Sequence, residues 1–390
     1  MRNRRHNTRD VVGGPHIEVW FTVIMGLAND KDIGFMRAHY VQRPFCSAVA
    51  LACVLLFSAA GESACDETDT IVSDDSEAVL VFVGDVMLAR NLPPHSPYNP
   101  EPLNHAYIFE PTAAIFHAAD IAFCNLESPI SGRGKPLNKR YAFNAPPDAA
   151  QGLRTAGFDI VSLANNHCLD YGDIALEDTM TYLASQDIHF VGICERDKPQ
   201  DPVILTANTI RVGYLAYMCP ELYFGEVRNY SPGPALAKKE TVVEDVRQLR
   251  AQADIIVVSF HWGIEYTIRP TRAQQQLGRA TIDAGAHIVA GHHPHVQQEP
   301  ERYAHGLILY SMGNFVFARY SRPPARDTRI YRININRDGI AKAEYLAHKI
   351  VPDRWRPEPQ SSDWRLVADN VPKREDAVVT CDNTFSDKGE

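Results

Sequence analysis

Apolar residues in this chain come in short continuous runs rather than in an alternating pattern. Six runs are apolar at nearly every position. Because a strand buried on both faces has no polar face, this pattern predicts a sheet that is covered by helices on both sides. The runs span residues 78–85, 119–127, 158–167, 253–263, 286–295 and 306–315.

Segments with helical periodicity separate the runs, and the alternation of the two patterns predicts an α/β protein. Shorter strands are predicted at 187–192, 203–206 and 211–217, and a hairpin with a turn at 337–339 closes the pattern. The predicted helices span residues 107–118, 148–156, 174–185, 240–251 and 271–284.

Polar side chains with metal-binding chemistry end five of the six long runs. In open α/β sheets, ligands bind at the carboxyl ends of the strands, so these residues are expected to meet at one edge and form one site. They are Asp85, Asn125, Glu127, Asn165, Asn166, His167, His261, His292, His293 and His295.

The most informative of these endings is IVAGHHPHVQQ, residues 288–298, which places three histidines within four positions. Imidazole nitrogen combined with carboxylate and amide oxygen suits zinc, manganese or iron(II) rather than calcium or a thiolate-bound metal. Each shorter motif also has a structural interpretation. A Gly-Asp pair often forms a turn, and an asparagine at a strand end often caps a helix.

The N-terminal region has the layout of a secretory signal peptide when it is read from Met36. Basic residues, an apolar run over 45–60 and a small-residue exit follow in order. We therefore predict an upstream extension at 1–35, a signal peptide at 36–64, a linker at 65–77, a domain at 78–350 and a C-terminal tail at 351–390. A buried N-terminal helix is the alternative, and a lipid anchor on Cys65 is a weaker one.

Charge and cysteine content exclude two classes of protein. The net charge is −9 and no basic block is present, so the pattern does not fit a nucleic-acid-binding protein. The chain has 8 cysteines but no C-x-x-C pair, which argues against a structural zinc ribbon. A disulfide is compatible with export, but the sequence does not assign one.

Six motifs taken together resemble the CapA family of bacterial capsule (poly-γ-glutamate) synthesis proteins. In chain order they are GDVMLAR, CNLESPI, SLANNHCLDYG, SFHWGIEY, VAGHHPHVQQ and LYSMGNFVF, and they lie within residues 79–347. That family resembles the calcineurin-like metallophosphoesterases. The resemblance implies a metallophosphoesterase-like four-layer αββα sandwich.

The resemblance also implies a ligand set for one or two ions of manganese, zinc or iron. One departure from the phosphoesterase pattern is Met87, which stands where that pattern has a histidine, and His292 competes with His293 for one position. His167 matches the histidine that donates a proton to the leaving group. Asp170 is predicted either to orient an imidazole or to cap a helix. The implied metal ligands are Asp85, Glu127, Asn166, His261, His293 and His295.

Two functions follow from the resemblance. The first is an exported protein of the periplasm or cell envelope that makes or exports an anionic capsule polymer such as poly-γ-glutamate. Its hydrolase-type site would cleave a phosphoester or a γ-glutamyl amide, and its partners would be that substrate and a membrane-bound capsule synthesis complex. The second is a non-catalytic polymer-binding or assembly subunit. Fold alone does not separate the two.

Overall fold

The computed structural model describes residues 77–89, 105–196, 198–222, 230–317, 323–352, 354–369 and 371. The predicted upstream extension and signal peptide, Cys65 and nearly all of the linker lie outside these residues. Within them, no helix is both long and apolar enough to cross a membrane.

The helices are α1 His105–Phe109, α2 Ala113–His117, α3 Ala149–Ala156, α4 Asp173–Ser185, α5 Lys239–Leu249 and α6 Arg272–Ala284. The first ten strands are β1 Ala78–Val86, β2 Ile121–Leu126, β3 Ile160–Ser162, β4 His189–Val191, β5 Ile193–Cys194, β6 Val203–Ala207, β7 Ile210–Met218, β8 Gly233–Pro234, β9 Ile255–His261 and β10 Ile288–His292. The others are β11 Gln297–Gln298, β12 Glu301–Tyr303, β13 Gly306–Leu309, β14 Ser311–Met312, β15 Asn314–Val316, β16 Asp327–Asn336, β17 Gly339–Val351, β18 Arg356–Pro359 and β19 Arg365–Asp369.

Two mixed sheets form the centre of the fold. In the first, the strand order is β18-β17-β16-β1-β2-β3-β4, with β15 paired to β1 and β19 paired to β17. In the second, the order is β12-β13-β10-β9-β7-β6. Strands β1 and β2 of the first sheet run parallel to each other, as do β9 and β10 of the second, so the carboxyl ends of each pair share an edge.

The inner faces of the two sheets pack against each other, and helices cover both outer faces. Phe82 and Phe123 of the first sheet pack with Tyr214 of the second in a buried core. A second core joins the first sheet to helices α1 to α4, and a third joins the second sheet to α5 and α6. This arrangement confirms the predicted four-layer αββα sandwich and explains why the central strands are apolar on both faces.

Two sequence predictions differ in detail from the structure. The single helix predicted over 107–118 is two short helices, α1 and α2, separated by a turn that contains Pro111. Proline has no amide hydrogen to donate within a helix, which accounts for the interruption. The C-terminal tail predicted from residue 351 includes β18 and β19, which pair with β17 and extend the first sheet.

Gly84 allows β1 to cross closely over the backbone that follows β14. A Cβ atom added at Gly84 would lie 1.9 Å from the carbonyl oxygen of Gly313. We therefore expect Gly84→Ala to lower the free energy of unfolding by about 1–3 kcal/mol or more, as overpacked cores do. Urea unfolding measures the change, and Gly132→Ala is the matched control because its added Cβ would lie 3.9 Å from its nearest neighbour. Equal stability of the two variants would contradict this close approach.

Candidate metal centre

The predicted site residues lie together where the carboxyl ends of strands from both sheets meet. Asp85 is the penultimate residue of β1, and Glu127 directly follows β2. His261 ends β9, and His292 lies beside it at the end of β10. The two sheets make direct contact here, because Nδ1 of His292 lies 3.1 Å from Oδ1 of Asp85.

Asp85 is fully buried and is surrounded by hydrogen-bond donors. Its Oδ1 accepts a hydrogen bond from Nδ2 of Asn125 at 2.9 Å. Nδ1 of His295 lies 3.3 Å from its Oδ2. Burial acts to raise the pKa of this carboxyl, but hydrogen bonds and charge interactions with His292 and His295 hold it well below its usual range. Asp85 is therefore a carboxylate at neutral pH.

Glu127 is also fully buried, but its surroundings are the opposite. Neither of its carboxyl oxygens accepts a hydrogen bond from any residue that the structure describes. Burial raises its pKa well above the usual value, and the nearby carboxylate of Asp85 raises it further. Its Oε1 lies 3.8 Å from Nε2 of His295 and 3.9 Å from Nε2 of His261. Glu127 thus lies near the imidazoles of His295 and His261 without receiving a hydrogen bond from either.

The imidazoles of His261 and His293 form a cluster with the side-chain amide of Asn166. Nε2 of His261 lies 2.9 Å from Oδ1 of Asn166 and 3.2 Å from Nδ1 of His293. Burial lowers the pKa of His261 well below its usual value, and His293 adds to the effect. Burial followed by the charge of His295 lowers the pKa of His293 to about 3. Both rings are neutral at pH 7, and the neutral ring is the form that binds metals.

The two histidines of the candidate pair 292 and 293 differ in position. His292 has no exposed surface, and its Nδ1 lies against Asp85 while its ring lies 6.1 Å from the core residue Phe123. His293 has a φ of 94°, a left-handed conformation that is uncommon for residues other than glycine. Of the two residues, His293 is therefore the one that combines a strained backbone with a contact to His261.

His167 lies beside these groups and is oriented by Asp170. Its Nδ1 lies 2.7 Å from Oδ2 of Asp170, and its Nε2 lies 3.9 Å from Oε1 of Glu127. The backbone amide of Phe143 donates to the same Asp170 oxygen at 2.7 Å, and Nζ of Lys139 donates to the other at 2.5 Å. Asp170 is therefore held by three donors, one of which is the imidazole of His167.

Apolar side chains enclose one side of the centre. The ring of Phe143 lies 4.5 Å from the ring of His167, and the ring of Phe317 lies 4.9 Å from that of His295. Met87 is buried in the same small cluster as these two phenylalanines. The residue that departs from the phosphoesterase pattern thus contributes to the apolar wall.

The chemistry of these residues fits a divalent metal ion. Oxygen and nitrogen atoms of Asp85, Glu127 and His295 lie within 4.8 Å of one another, and all three residues are buried. Two buried carboxyl groups so close together are costly to ionise at the same time, and the nearby rings of His261 and His293 are neutral. A divalent cation would satisfy the oxygens of Glu127, which have no donor among the described residues.

All the predicted site residues are brought together, each within 3.9 Å of another member of the set. Sequence reasoning missed Lys139, whose Nζ also donates to the carbonyl oxygen of Asn166 at 2.9 Å. Lys139 lies in a loop among several other cationic residues, and no local pattern distinguishes it from them.

The fold and the site together define a class of protein. It is a two-sheet αββα protein with carboxylates and imidazoles at the ends of its strands. Comparison with known proteins gives the family. The bacterial capsule synthesis protein PGA_cap family matches residues 79–319 of this chain. The chain belongs to this family, and the resemblance found in its motifs is confirmed.

Two relatives named CapA agree with this assignment. The PGA biosynthesis protein CapA of Bacillus subtilis (strain 168) is 30% identical over 304 residues, covering 76% of this chain and 78% of the relative. The capsule biosynthesis protein CapA of Bacillus anthracis is 28% identical over 281 residues, covering 69% and 66%. Among solved structures, a 5'-nucleotidase precursor from Thermus thermophilus overlaps with a TM-score of 0.44 at 14% identity, covering 73% of this chain and 56% of that one.

Proposed function

We propose that this protein acts in the biosynthesis or export of an anionic capsule polymer such as poly-γ-glutamate, through a metal-dependent site of hydrolase type. Its family and the names of its Bacillus relatives support the pathway. The observation that supports chemistry is Glu127, a buried carboxyl group without a hydrogen-bond donor among the described residues, set between two imidazole groups. A purely structural site would leave that group unsatisfied.

We assign the ligands to two groups that share Glu127. Asp85 and His295 form one group, and Asn166, His261 and His293 form the other. We prefer His293 to His292 because His293 contacts His261 directly, whereas His292 lies behind Asp85. When bound, one or two ions of zinc, manganese or iron(II) would supply Lewis acidity and lower the pKa of a water molecule.

The proton chemistry belongs to His167. Because Asp170 accepts a hydrogen bond from Nδ1–H of His167, the proton of the neutral ring stays on Nδ1. Nε2, 3.9 Å from Oε1 of Glu127, is then the atom that takes up or delivers a proton. Burial lowers the pKa of His167, so the ring is neutral at rest. Lys139 and the amide of Phe143 fix Asp170, and the ring of Phe143 keeps water from one face of the imidazole.

One observation favours a second function. Met87 occupies the place of an expected histidine and packs into an apolar cluster. A centre that lacks this ligand fits a subunit that binds polymer or organises a synthesis complex without cleaving a bond. The two functions make different predictions for turnover.

A turnover assay on the full chain separates them. The protein is treated with a chelator and reloaded separately with zinc, manganese or iron(II). It is then supplied with a chromogenic phosphodiester or with a γ-linked glutamate oligomer. We expect at least one ion to restore hydrolysis of one substrate. Asp85→Asn, which keeps side-chain volume but loses the charge, should stay inactive. No turnover with any ion, by a protein that restores capsule polymer in a deletion strain, would establish the non-catalytic function instead.

A further inference from the structure

A cavity of about 310 Å³ is lined in part by residues that follow His295 in the chain. Val296 and Gln297, which directly follow that histidine, form part of its wall. Ile268 and Pro324 add apolar surface to the wall, and Ile268 itself is 64% exposed. The volume is at the lower end of the range of about 300–1,000 Å³ for small-molecule sites.

Two arginines line this cavity. The guanidinium carbon of Arg329 lies 4.4 Å from the centre of the Tyr345 ring, and that of Arg365 lies 6.0 Å from the same centre. All three residues line the cavity. Asp327 lines it as well, and its carboxylate pairs with Nζ of Lys349 at 3.4 Å. Arg329 likewise pairs with Glu299 at 2.9 Å, so Arg365 contributes the net positive charge.

The guanidinium of Arg329 is held in a fixed orientation. It stacks on Tyr345, and its Nη2 donates to Oε1 of Glu299 at 2.9 Å. Its Nη1 donates to the hydroxyl of Tyr331 at 3.4 Å. An arginine has five N–H donors in a rigid fork, so donors remain for a bound carboxylate. Arg365, by contrast, is exposed and forms no ion pair within the described part of the chain.

We propose that this cavity is a carboxylate subsite for an amide-linked polyanion, which seats one unit of the polymer while a neighbouring unit lies at the metal centre. The inference rests on the proposed function and names the substrate feature that the protein recognises. The arginines bind the carboxylate, and the apolar wall of Val296, Ile268 and Pro324 contacts the methylene groups. The side chain of Gln360, also in the lining, suits a backbone amide. A bare phosphate would leave the apolar wall uncovered.

Calorimetric titration with a γ-linked glutamate pentamer tests this subsite. The titration uses the His167→Asn background, so binding is measured without turnover. We expect Arg365→Gln to weaken binding about tenfold, because a charge-assisted hydrogen bond to the carboxylate is lost. Arg247→Gln is the matched control, since Arg247 is exposed on α5, is not among the cavity-lining residues and should leave binding unchanged.

Two further ligands define the chemistry. A γ-linked glutamine pentamer has the same backbone without the carboxylates. It should bind weakly, and equally to the His167→Asn parent protein and to the variant that also carries Arg365→Gln. Inorganic phosphate should not displace the glutamate pentamer at equal concentration. Displacement by phosphate, or equal binding of the glutamate pentamer by the parent and Arg365→Gln, would overturn the inference and leave the proposed function standing. Absence of pentamer binding by the parent overturns it too, and metal-dependent turnover alone then decides the proposed function.

Discussion

Removing His261 and His293 together is expected to strip the protein of most of its bound metal. Both imidazoles are neutral and buried, and they lie 3.2 Å apart beside Asn166 and Glu127. Loss of a partner outside the ligand set already lowers metal affinity by about 10–100-fold, so loss of two ligands should exceed about 100-fold. Elemental analysis of the purified His261→Ala/His293→Ala protein measures the effect.

The matched control removes two imidazoles elsewhere. His117 and His189 are exposed and lie outside the centre, so His117→Ala/His189→Ala should keep the metal content of the parent protein. Circular dichroism of both double variants checks that the fold is retained. A folded His261→Ala/His293→Ala protein that carries as much metal as its control would rule out the proposed ligand set.

Replacing His167 by asparagine is expected to abolish turnover while metal remains bound. Nε2 of His167 is the proton-transfer atom of the proposed chemistry, and general acid–base groups contribute roughly 10²–10⁴-fold in rate. Asp170→Asn should cause a smaller loss, because it disturbs the orientation of the ring rather than removing it. Turnover and metal content are measured on the same preparations.

The two measurements together separate three roles of His167. Lost turnover with full metal content supports proton transfer. Lost turnover with lost metal would make His167 a ligand, contrary to the assignment proposed above. Unchanged turnover by His167→Asn would show that another group moves the proton. The test depends on wild-type activity, so it follows the chelation and reloading experiment.

Local sequence was enough to predict strands buried on both faces, whereas the two-sheet arrangement followed only from the family resemblance. The continuous apolar runs of β1, β2, β9 and β10 require a cover on both faces, and the structure covers them with helices on one side and the other sheet on the other. Helix ends were predictable within a residue or two where the pattern was strong, as for α4 and α6. The break at Pro111 between α1 and α2 was missed, although the proline was visible in the sequence.

The location of the candidate site was also predictable to a large extent, because the position of a residue at a strand end indicates which edge of the sheet it occupies. Parallel neighbours end at the same edge, so a carboxylate after one strand and an imidazole after another are expected to meet. Asp85, Glu127 and His261 were found in this way. The cluster of three histidines at 292–295 was the strongest single indication of a metal site, since three imidazoles so close together rarely serve packing alone.

What the sequence by itself determined is therefore the class of fold, the family and a set of candidate site residues that the structure brings together. Only the tertiary structure distinguished His292 from His293, since both have the same local spacing and differ in whether the ring lies toward Asp85 or toward His261. It alone placed Lys139 on Asp170, across 31 positions of sequence. Such pairings depend on where separate loops meet in space, and hydrophobic periodicity reports burial without reporting which buried or half-buried polar groups become neighbours.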